Sequence, residues 1–413
     1  MNPLVATTAD LQPGWHSRRR LGSVEIPVHY MRGGTSTGVV VWEPLLPADS
    51  ALREQLLRRV MGVPAVGDHP GNRQITGLGR GPATSNKVFL VSTERVGDRL
   101  RLVSTLAQLA SDHAQVDWSV NCGNLSSTLL LWALDLGLLE ASPSGLCEVD
   151  IRNTNTGVIT SARMQRDAQN GFIETAIPGV MGEYPAVDLF LHAPVGNKTG
   201  ALLPTGAVID RIEGIEVSCV DVAVPMVIVE AGSLGKTGHE PVATLAADQA
   251  FMAKLRTLWT QAGLKMGLRR KDGVLMTAAE LARSETIPKI CIVGAPRDGG
   301  HIAVRYFTPQ TGHASMAVSG GCCLAAACLI PGSTAHRVAS GIATPGASLM
   351  DIQVSIENPA GRLDTTVVAA LIDQQLQIRR AAYRRSTQIL MRGHVPLSGA
   401  SSELQQALLE VQP

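Results

Sequence analysis

Two runs that are apolar on every side, each entered through small polar residues, constrain this fold most. The first is SVNCGNLSSTLLLWALDLGLL, residues 119–139, and the second is SGGCCLAAACLIPG, residues 319–332. Asp135 interrupts the first run, which falls short of the length that a membrane span needs. A helix that is hydrophobic all round has to be enclosed by other structure. We therefore expect two buried helices, each surrounded by strands.

The segments before these helices also repeat. VEIPVHYMRGGTSTGVVV, from residue 24, and IEVSCVDVAVPMVIVEAG, from residue 215, both predict a strand, a turn and a strand. Gly34 precedes Cys122 by 88 positions, and Pro225 precedes Gly321 by 96. The same predicted elements recurring at similar spacing indicate an internal duplication. The alternative is a chance likeness between two mixed domains.

We therefore predict an α+β fold with two similar halves, each with a β-barrel-like sheet around one central helix. Helical spacing follows each strand pair, over residues 47–61 with Asp49 as the cap and over residues 242–264. The predicted divisions of the chain are an N-terminal tail, 1–23, a first half, 24–195, a second half, 196–395, and a C-terminal tail, 396–413.

Charge and composition exclude several classes of partner. Over 413 residues, 36 Lys and Arg balance 35 Asp and Glu, so no field of one sign favours nucleic acid or an anionic membrane. Aromatic residues make up 3%, which argues against the stacking surfaces of single-strand binders. The odd number of cysteines, seven, is typical of reduced thiols in the cytoplasm. The N-terminus is polar, whereas a secretory signal needs an apolar centre. No C-x-x-C pair accompanies a His pair, so a structural zinc site has little support.

The entrances of the two helices are candidate anion sites. A helix N-terminus carries unpaired N–H groups and a partial positive charge. Asn121, Gly123 and Asn124 let a ligand approach the backbone beside Cys122, and Ser319, Gly320 and Gly321 do so at the second helix. If the two halves face each other, both entrances open into one cleft that suits a small polycarboxylate.

Two side chains have both a functional and a structural interpretation. Cys122 is either a proton carrier tuned by the helix or a small buried hydrophobe. Lys87, at the start of a predicted strand, is either a solvated strand end or a base or carboxylate clamp in a dry cleft. The polar neighbours of Cys122 favour its functional interpretation, whereas composition does not separate the two interpretations of Lys87. His313 is expected to be a hydrogen-bonded structural residue.

Several motifs together resemble one family. They are MRGGTSTG, GNRQITGLGRGPATSNK, VNCGN, DVAVP and HASMAVSGGCCLAAA followed by IPG. These resemble the PrpF family, which includes 2-methylaconitate cis-trans isomerases, 3-methylitaconate isomerases and 4-oxalomesaconate tautomerases. The resemblance runs from about residue 24 to about residue 395. It implies the diaminopimelate epimerase-like fold, with the active site between two similar halves.

The resemblance also implies site residues. Lys87 and Cys122 match the family's catalytic lysine and cysteine, whereas Ala317 stands where the epimerases have a second thiol. Thr37 replaces a common lysine of the glycine-rich turn, and Val224 replaces a common Asn, which leaves the substrate open. The residues expected to bind substrate, each also explicable as a turn, cap or surface residue, are Arg32, Gly33, Gly34, Thr35, Ser36, Arg73, Ser85, Asn86, Asn121, Gly123, Asn124, Ser319, Gly320 and Gly321, with Arg80 as a further cation.

The implied reaction is an isomerisation of a small unsaturated di- or tricarboxylate. A base and an acid would move one proton between allylic carbons, with no metal or organic cofactor. The alternatives are a non-catalytic accessory protein to an aconitase-like enzyme and an amino-acid or hydroxy-acid racemase. The expected partner is the small carboxylate itself, without nucleic acid or membrane, and a homodimer is the default for such an enzyme.

Overall fold

The computed structural model describes residues 14–81, 83–169, 171–270, 272–373 and 375–411. Residues 1–13 and 412–413 of the predicted tails lie outside the described residues. Among the described residues, unit 1 comprises 14–176, 180–189 and 385–411, and unit 2 comprises 177–179 and 190–384. In the described part of the chain, no helix combines the length and the apolar character that crossing a membrane demands.

Unit 1 is built on a sheet with two helices behind it and one central helical segment. Its elements are β1 (Arg18–Arg20), β2 (Ser23–Gly33), β3 (Ser36–Trp42), α1 (Ser50–Met61), β4 (Lys87–Val96), β5 (Arg99–Leu109), β6 (Val116–Asp117), α2 (Gly123–Ser126), α3 (Leu129–Asp135), β7 (Leu146–Asn153), β8 (Ile159–Gln165), β9 (Glu174–Thr175), the first part of β10 (Tyr184–His192), the last part of β19 (Gln375–Pro396) and α9 (Ser402–Glu410).

The sheet of unit 1 mixes antiparallel and parallel pairs. β2 and β3 form an antiparallel hairpin, β4 lies parallel to β3, and β5 returns antiparallel to β4. β7 is parallel to β5 and antiparallel to β8, and the last part of β19 pairs antiparallel with β2. α2 contacts β2 and β3, while α3 contacts β7 and β8, so this helical segment lies inside the curved sheet.

Unit 2 contains the remaining elements. They are the last part of β10, β11 (Asp210–Ile212), β12 (Ile215–Val222), β13 (Val224–Glu230), α4 (Val242–Ala247), α5 (Gln249–Lys265), α6 (Ala278–Arg283), β14 (Lys289–Gly294), β15 (Ile302–Thr308), β16 (Thr311–Gly312), α7 (Val318–Cys328), α8 (Thr334–Val338), β17 (Met350–Asn358), β18 (Gly361–Ile372) and the first part of β19.

Unit 2 repeats the strand order of unit 1. β12 and β13 form a hairpin, β14 is parallel to β13, β15 is antiparallel to β14, and β17 is parallel to β15 and antiparallel to β18. α7 contacts β12, β13, β17 and β18, the counterparts of the strands around α2 and α3. The α+β class and the duplicated order are therefore confirmed.

Local sequence explains why the main helices form where they do. Asp49 caps α1 by accepting a hydrogen bond from the N–H of Leu52, and Gly62 ends the helix with a φ of +68°, as helix C-termini favour. From Gly320 to Cys328 every residue of α7 is buried, which matches its lack of a polar face. Both elements lie where the sequence predicts them.

The division of the chain differs from the prediction at its ends. β1 lies within the predicted N-terminal tail and pairs with β2, since Arg18 lies opposite Glu25. Residues 385–395, predicted in the second half, belong to unit 1, and the predicted C-terminal tail forms α9. Leu404 and Leu408 of α9 are fully buried in the hydrophobic core of unit 1. Burial of these apolar side chains fixes a segment that was expected to be a tail.

Candidate active site

The glycine-rich turn between β2 and β3 presents its residues to the segment that enters α2. Gly34 has a φ of +52°, and a Cβ atom there would lie 2.5 Å from Asn124 Oδ1. Asn124 Nδ2 donates to Thr35 Oγ1 at 3.1 Å, and its Oδ1 accepts from Arg385 Nε at 2.9 Å. Only glycine combines this backbone conformation with so close an approach. Asn124 is therefore held between the turn and β19.

Cys122 is the N-cap residue of α2, as its predicted position before the helix requires. Its Sγ accepts a hydrogen bond from the N–H of Leu125 at 3.4 Å and donates to Ser36 Oγ at 3.7 Å. Its own N–H donates to Asn121 Oδ1 at 2.7 Å. Of the seven cysteines only Cys122 is partly exposed; the others are buried.

Lys87 begins β4 and is buried, with 7% of its surface exposed. β4 approaches the helical segment closely at Gly38 of β3, where a Cβ atom would lie 2.6 Å from Lys87 O and 2.7 Å from Leu125 Cδ2. Burial lowers the pKa of Lys87, and the charge of Cys122 acts in the opposite direction by favouring the ammonium. The predicted lysine and cysteine are thus electrostatically linked within unit 1.

Gln108 is a neighbour of Lys87 that the sequence analysis missed. The two residues lie directly opposite each other on the antiparallel strands β5 and β4, so their side chains share one face of the sheet. Gln108 Nε2 donates to Asn86 O at 2.9 Å and to Leu109 O at 3.2 Å. With both amide hydrogens directed at the backbone, the side-chain orientation is fixed. No local sequence signal marks this residue, because register alone brings it beside Lys87.

Arg32 is buried and holds the turn in place. Its Nη1 donates to Gly34 O at 3.0 Å and to Ser386 O at 3.1 Å, and its guanidinium lies 4.5 Å from the centre of the Tyr184 ring. Its Nη2 is buried and has no hydrogen-bond partner among the described residues. These contacts give Arg32 a structural role, and its predicted contact with a substrate carboxylate stays a prediction.

The remaining predicted residues, in the loop before β4, differ in burial and in their contacts. Asn86 is fully buried, and its side chain closes the loop by accepting from the N–H of Arg80 at 3.1 Å and donating to Gly81 O at 3.2 Å. Arg73 is exposed, and Ser85 is half-buried in a short 3₁₀ turn. Arg80 is exposed, and its guanidinium lies 4.8 Å from the centre of the Tyr30 ring. Their roles toward substrate stay predictions.

The two positions that depart from the family pattern, Thr37 and Val224, make ordinary contacts within their own hairpins. Thr37 Oγ1 accepts a hydrogen bond from the Tyr30 hydroxyl at 3.3 Å. Val224 is buried and pairs with Val222 across the β12–β13 turn.

The entrance of α7 in unit 2 differs in chemistry from that of α2. Ala317 is the N-cap residue and supplies no capping side chain, whereas Cys122 supplies its sulfur. Ser319 and Gly320 lie in the first turn, and Gly320 packs against the Tyr306 ring. The N–H of Gly321 donates to Ala317 O at 2.9 Å and is therefore used within the helix. His313 is hydrogen-bonded as expected, because its Nδ1 accepts from the N–H of Ser315 at 3.0 Å.

The described residues contain no group of three or more His, Cys, Asp and Glu side chains arranged to hold a metal ion. Near the entrance of α2, unit 1 offers an amine, a thiol, hydroxyls and backbone N–H groups. Such an arrangement can move a proton and stabilise a carboxylate.

Comparison with known proteins gives this geometry its context. Residues 23–398 match the model of the protein family described as "PrpF protein". The chain is 36% identical over 349 residues to the 4-oxalomesaconate tautomerase of Pseudomonas putida, which covers 84% of this chain and 90% of that protein. It is 32% identical over 380 residues to the (4E)-oxalomesaconate Delta-isomerase of a Novosphingobium species, which covers 92% of this chain and 99% of that protein.

The fold has a solved counterpart. The crystal structure of methylitaconate-delta-isomerase aligns with a TM-score of 0.75 and 27% sequence identity, covering 92% of this chain and 98% of that one. This likeness confirms the diaminopimelate epimerase-like fold, and the family match confirms the resemblance drawn from the motifs. The chain is therefore an isomerase of the PrpF family.

Proposed function

We propose that the protein moves or isomerises a C=C bond of a small unsaturated di- or tricarboxylic acid by a 1,3-allylic proton transfer. Two relatives whose names refer to oxalomesaconate, at 36% and 32% identity, support 4-oxalomesaconate tautomerisation as the first reaction to test. Isomerisation of 2-methylaconitate and of methylitaconate are the related candidates. The observation that carries the proposal is a buried lysine near enough to a cysteine at a helix entrance for the charge of Cys122 to act on the pKa of Lys87.

Lys87 acts as the base in this proposal and Cys122 as the acid. The neutral amine of Lys87 removes a proton from the carbon next to the conjugated system, and the electron pair shifts to give a dienolate. The Cys122 thiol then donates its proton to the other allylic carbon, which moves the double bond. The Lys87 ammonium finally returns a proton to the Cys122 thiolate, so both groups regain their starting states. Burial supports this assignment of roles, since it lowers the pKa of Lys87 and increases the fraction of neutral amine.

Negative charge develops on a carboxylate or keto oxygen during this transfer. Backbone N–H groups and hydroxyls at the glycine-rich turn and around Cys122 are suited to stabilise it, and Thr35, Ser36 and Asn124 are the side chains we assign to that role. One hydrogen-bond donor to an oxyanion is typically worth about 3 kcal/mol of transition-state stabilisation.

The test is proton exchange combined with ultraviolet absorbance. The protein is incubated with the keto and enol forms of 4-oxalomesaconate in deuterated water, and deuterium incorporation and loss of the starting chromophore are followed. We expect Lys87→Met and Cys122→Ser each to lower kcat by at least about a hundredfold, the usual scale of general acid–base catalysis. Parallel assays with methylaconitate, itaconate and aconitate isomers establish which acid is preferred.

Matched controls separate loss of chemistry from loss of folding. Lys254→Met changes an exposed lysine of α5, and Cys147→Ser changes a buried cysteine of β7. Both controls should keep activity close to that of the wild type. Full exchange in Lys87→Met or Cys122→Ser would remove that residue from the mechanism.

Two other functions give different results in the same assay. An accessory protein would bind the acid without exchanging its protons. A racemase would exchange a chiral substrate's α-proton, and Ala317 at the cap of α7 argues against a two-thiol racemase because it offers no second sulfur. A cytoplasmic location belongs to the proposal as well, supported by seven cysteines that are all reduced thiols.

A further inference from the structure

The segment that leads into Cys122 is shaped by hydrogen bonds of its own side chains. Residues 118–121 connect β6, which ends at Asp117, to Cys122. Asp117 Oδ1 accepts from the N–H of Ser119 at 2.7 Å and from its hydroxyl at 2.6 Å, and Asn121 Oδ1 accepts from the N–H of Cys122 at 2.7 Å. These bonds fold the segment but do not join it to the rest of unit 1. The position of Cys122 therefore depends on contacts that attach the segment to the sheet.

Asn155, in the connection between β7 and β8, supplies such a contact. Its Nδ2 donates to Trp118 O at 2.7 Å and to Leu106 O at 3.0 Å. Its Oδ1 accepts from the N–H of Leu106 at 2.8 Å and from Asn153 Nδ2 at 3.0 Å. The carboxamide thus pairs with both backbone groups of Leu106 on β5, as a neighbouring strand would. Its remaining N–H holds the backbone of the segment before Cys122.

The side chain of Trp118 is held as well. Its Nε1 donates to Glu54 Oε1 at 3.2 Å, and its ring packs against the hydrophobic core of unit 1. Trp118 lies four positions before Cys122. The bonds between these two positions lie within the segment, so a shift of the Trp118 backbone is passed on to the thiol. A reacting group that is displaced by as little as about 1 Å can lose much of its catalytic effect.

Unit 2 has a similar attachment at the corresponding place. The β17–β18 hairpin is the counterpart of β7–β8, since β17 is parallel to β15 as β7 is parallel to β5. Asn358, the last residue of β17, accepts from Ser315 Oγ at 3.1 Å, and Ser315 lies two residues before the cap residue Ala317. In each unit, an asparagine of this hairpin therefore contacts the segment before the central helix. In unit 1 that segment ends in a thiol.

We infer that Asn155 is a positioning residue, which holds Trp118 O and thereby fixes Cys122 Sγ for proton transfer. Asn155 acts through the backbone of Trp118, so it is expected to affect the chemical step more than substrate binding. Its effect on the reaction rests on the proposed function. Its effect on the segment before Cys122 does not depend on that function.

Hydrogen exchange of the full-length protein, measured by mass spectrometry, tests the attachment without requiring activity. Asn155→Ala should speed exchange of the amides of residues 119–125 at least about fivefold, the scale of one lost hydrogen bond. Asn155→Asp still accepts from the N–H of Leu106 but cannot donate to Trp118 O at neutral pH. It should therefore give the same increase over residues 119–125 and leave the amide of Leu106 protected. Val158→Ala, which changes an exposed side chain of the same connection, should exchange as the wild type does.

Kinetics with the preferred acid test how Asn155 acts. Asn155→Ala should lower kcat at least about tenfold and change KM by less than about threefold, the pattern of a lost transition-state interaction. Because Asn155 acts through Cys122, adding Asn155→Ala to Cys122→Ser should lower kcat no further. A general loss of structure would lower kcat in both backgrounds. Val158→Ala should retain the kcat of the wild type.

Two results would overturn the inference. One is unchanged exchange of residues 119–125 in folded Asn155→Ala, and the other is a loss of kcat that multiplies in the double variant with Cys122→Ser. If Asn155→Ala does not fold, Asn155→Asp carries the same tests, because it retains the bond from Leu106. Faster exchange in a protein that isomerises none of the acids would support the attachment and refute the proposed function.

Discussion

At the scale of single residues, the burial of Lys87 has a consequence for stability. The folded pKa of Lys87 lies below its ordinary value of 10.5, chiefly because of burial. Between these two values the unfolded chain binds more protons than the folded one, so this group makes stability rise with pH through that window. Below the window both states are protonated, and the buried ammonium destabilises the folded protein.

We therefore expect Lys87→Met to be more stable than the wild type at neutral pH. The difference should shrink as the pH rises toward the pKa of an ordinary lysine. Urea unfolding measured between about pH 6 and pH 10 checks this, with stability compared at each pH. The exposed-lysine variant Lys254→Met should follow the wild type throughout. Parallel curves for wild type and Lys87→Met would contradict the assignment of burial as the cause.

Gln108 leads to a prediction about the pH profile of the reaction. Gln108 lies opposite Lys87 on β5, and an amide oxygen next to an ammonium would favour the protonated form. Gln108→Leu should therefore lower the Lys87 pKa and move the rising limb of kcat against pH to lower pH, whereas Gln108→Glu should move it to higher pH. We expect a loss of about tenfold in kcat with little change in KM, because Gln108 acts through Lys87. Gln115→Leu, at an exposed position, is the control. If Gln108→Leu and Gln108→Glu both moved the rising limb of kcat in the same direction, this positioning role would be excluded.

At the scale of elements, α9 is the segment whose importance the sequence analysis missed. Its signal was present, since Ser401 precedes a stretch in which Leu404 and Leu408 are four residues apart. The Ser401 hydroxyl accepts from the N–H of Leu404 at 3.1 Å, so the helix also has its cap. Tertiary contact with the core, rather than position near the chain end, decides whether such a segment is ordered.

Truncation of α9 side chains should therefore be costly. Leu404→Ala or Leu408→Ala is expected to lower the free energy of unfolding by about 2–5 kcal/mol, as for other fully buried leucines. Chemical denaturation of the purified protein measures this. Gln406→Ala, on the exposed face of the same helix, should stay within about 0.5 kcal/mol of the wild type. A small effect at both leucines would show that α9 contributes little to the core.

Sequence patterns predicted the elements that have local signals. The Asp49 cap of α1, the two hairpins at β2–β3 and β12–β13 and the apolar α7 were all placed correctly. β19 was not predicted, because its buried residues cluster in the middle instead of alternating. The small polar neighbours of Cys122 correctly predicted its position before a helix, where it is the N-cap residue of α2.

At the scale of the whole molecule, the duplication has diverged in its chemistry more than in its topology. Both units keep the same strand order, a lysine at the start of the parallel strand and a buried helix. They differ at the helix cap, where unit 1 has Cys122 and unit 2 has Ala317. Unit 2 therefore has no thiol at the helix cap that corresponds to Cys122 of unit 1.

The distribution of cysteines predicts selective labelling. Cys122 is partly exposed, and the other six cysteines are at most 3% exposed. Burial raises the pKa of Cys219 to about 12 and also raises those of Cys147 and Cys291, so these thiols are poor nucleophiles. Iodoacetamide should therefore add one group per folded chain, at Cys122, and seven in urea. Mass spectrometry of the wild type and Cys122→Ser counts them. Comparable labelling of a second cysteine in the folded protein would contradict the burial.

The contacts of residues 385 and 386 have a consequence for biosynthesis. The N–H of Gly34 donates to Ser386 O at 2.9 Å, and Arg385 donates to Asn124, so the turn near the beginning of the chain is held by a strand near its end. A nascent polypeptide still missing that strand already contains Lys87 and Cys122, but its turn and Asn124 lack their contacts with Ser386 and Arg385. Unit 2 has to be synthesised before unit 1 can be finished. The candidate site is thus expected to be complete only after β19 has been synthesised, however early Lys87 and Cys122 emerge from the ribosome.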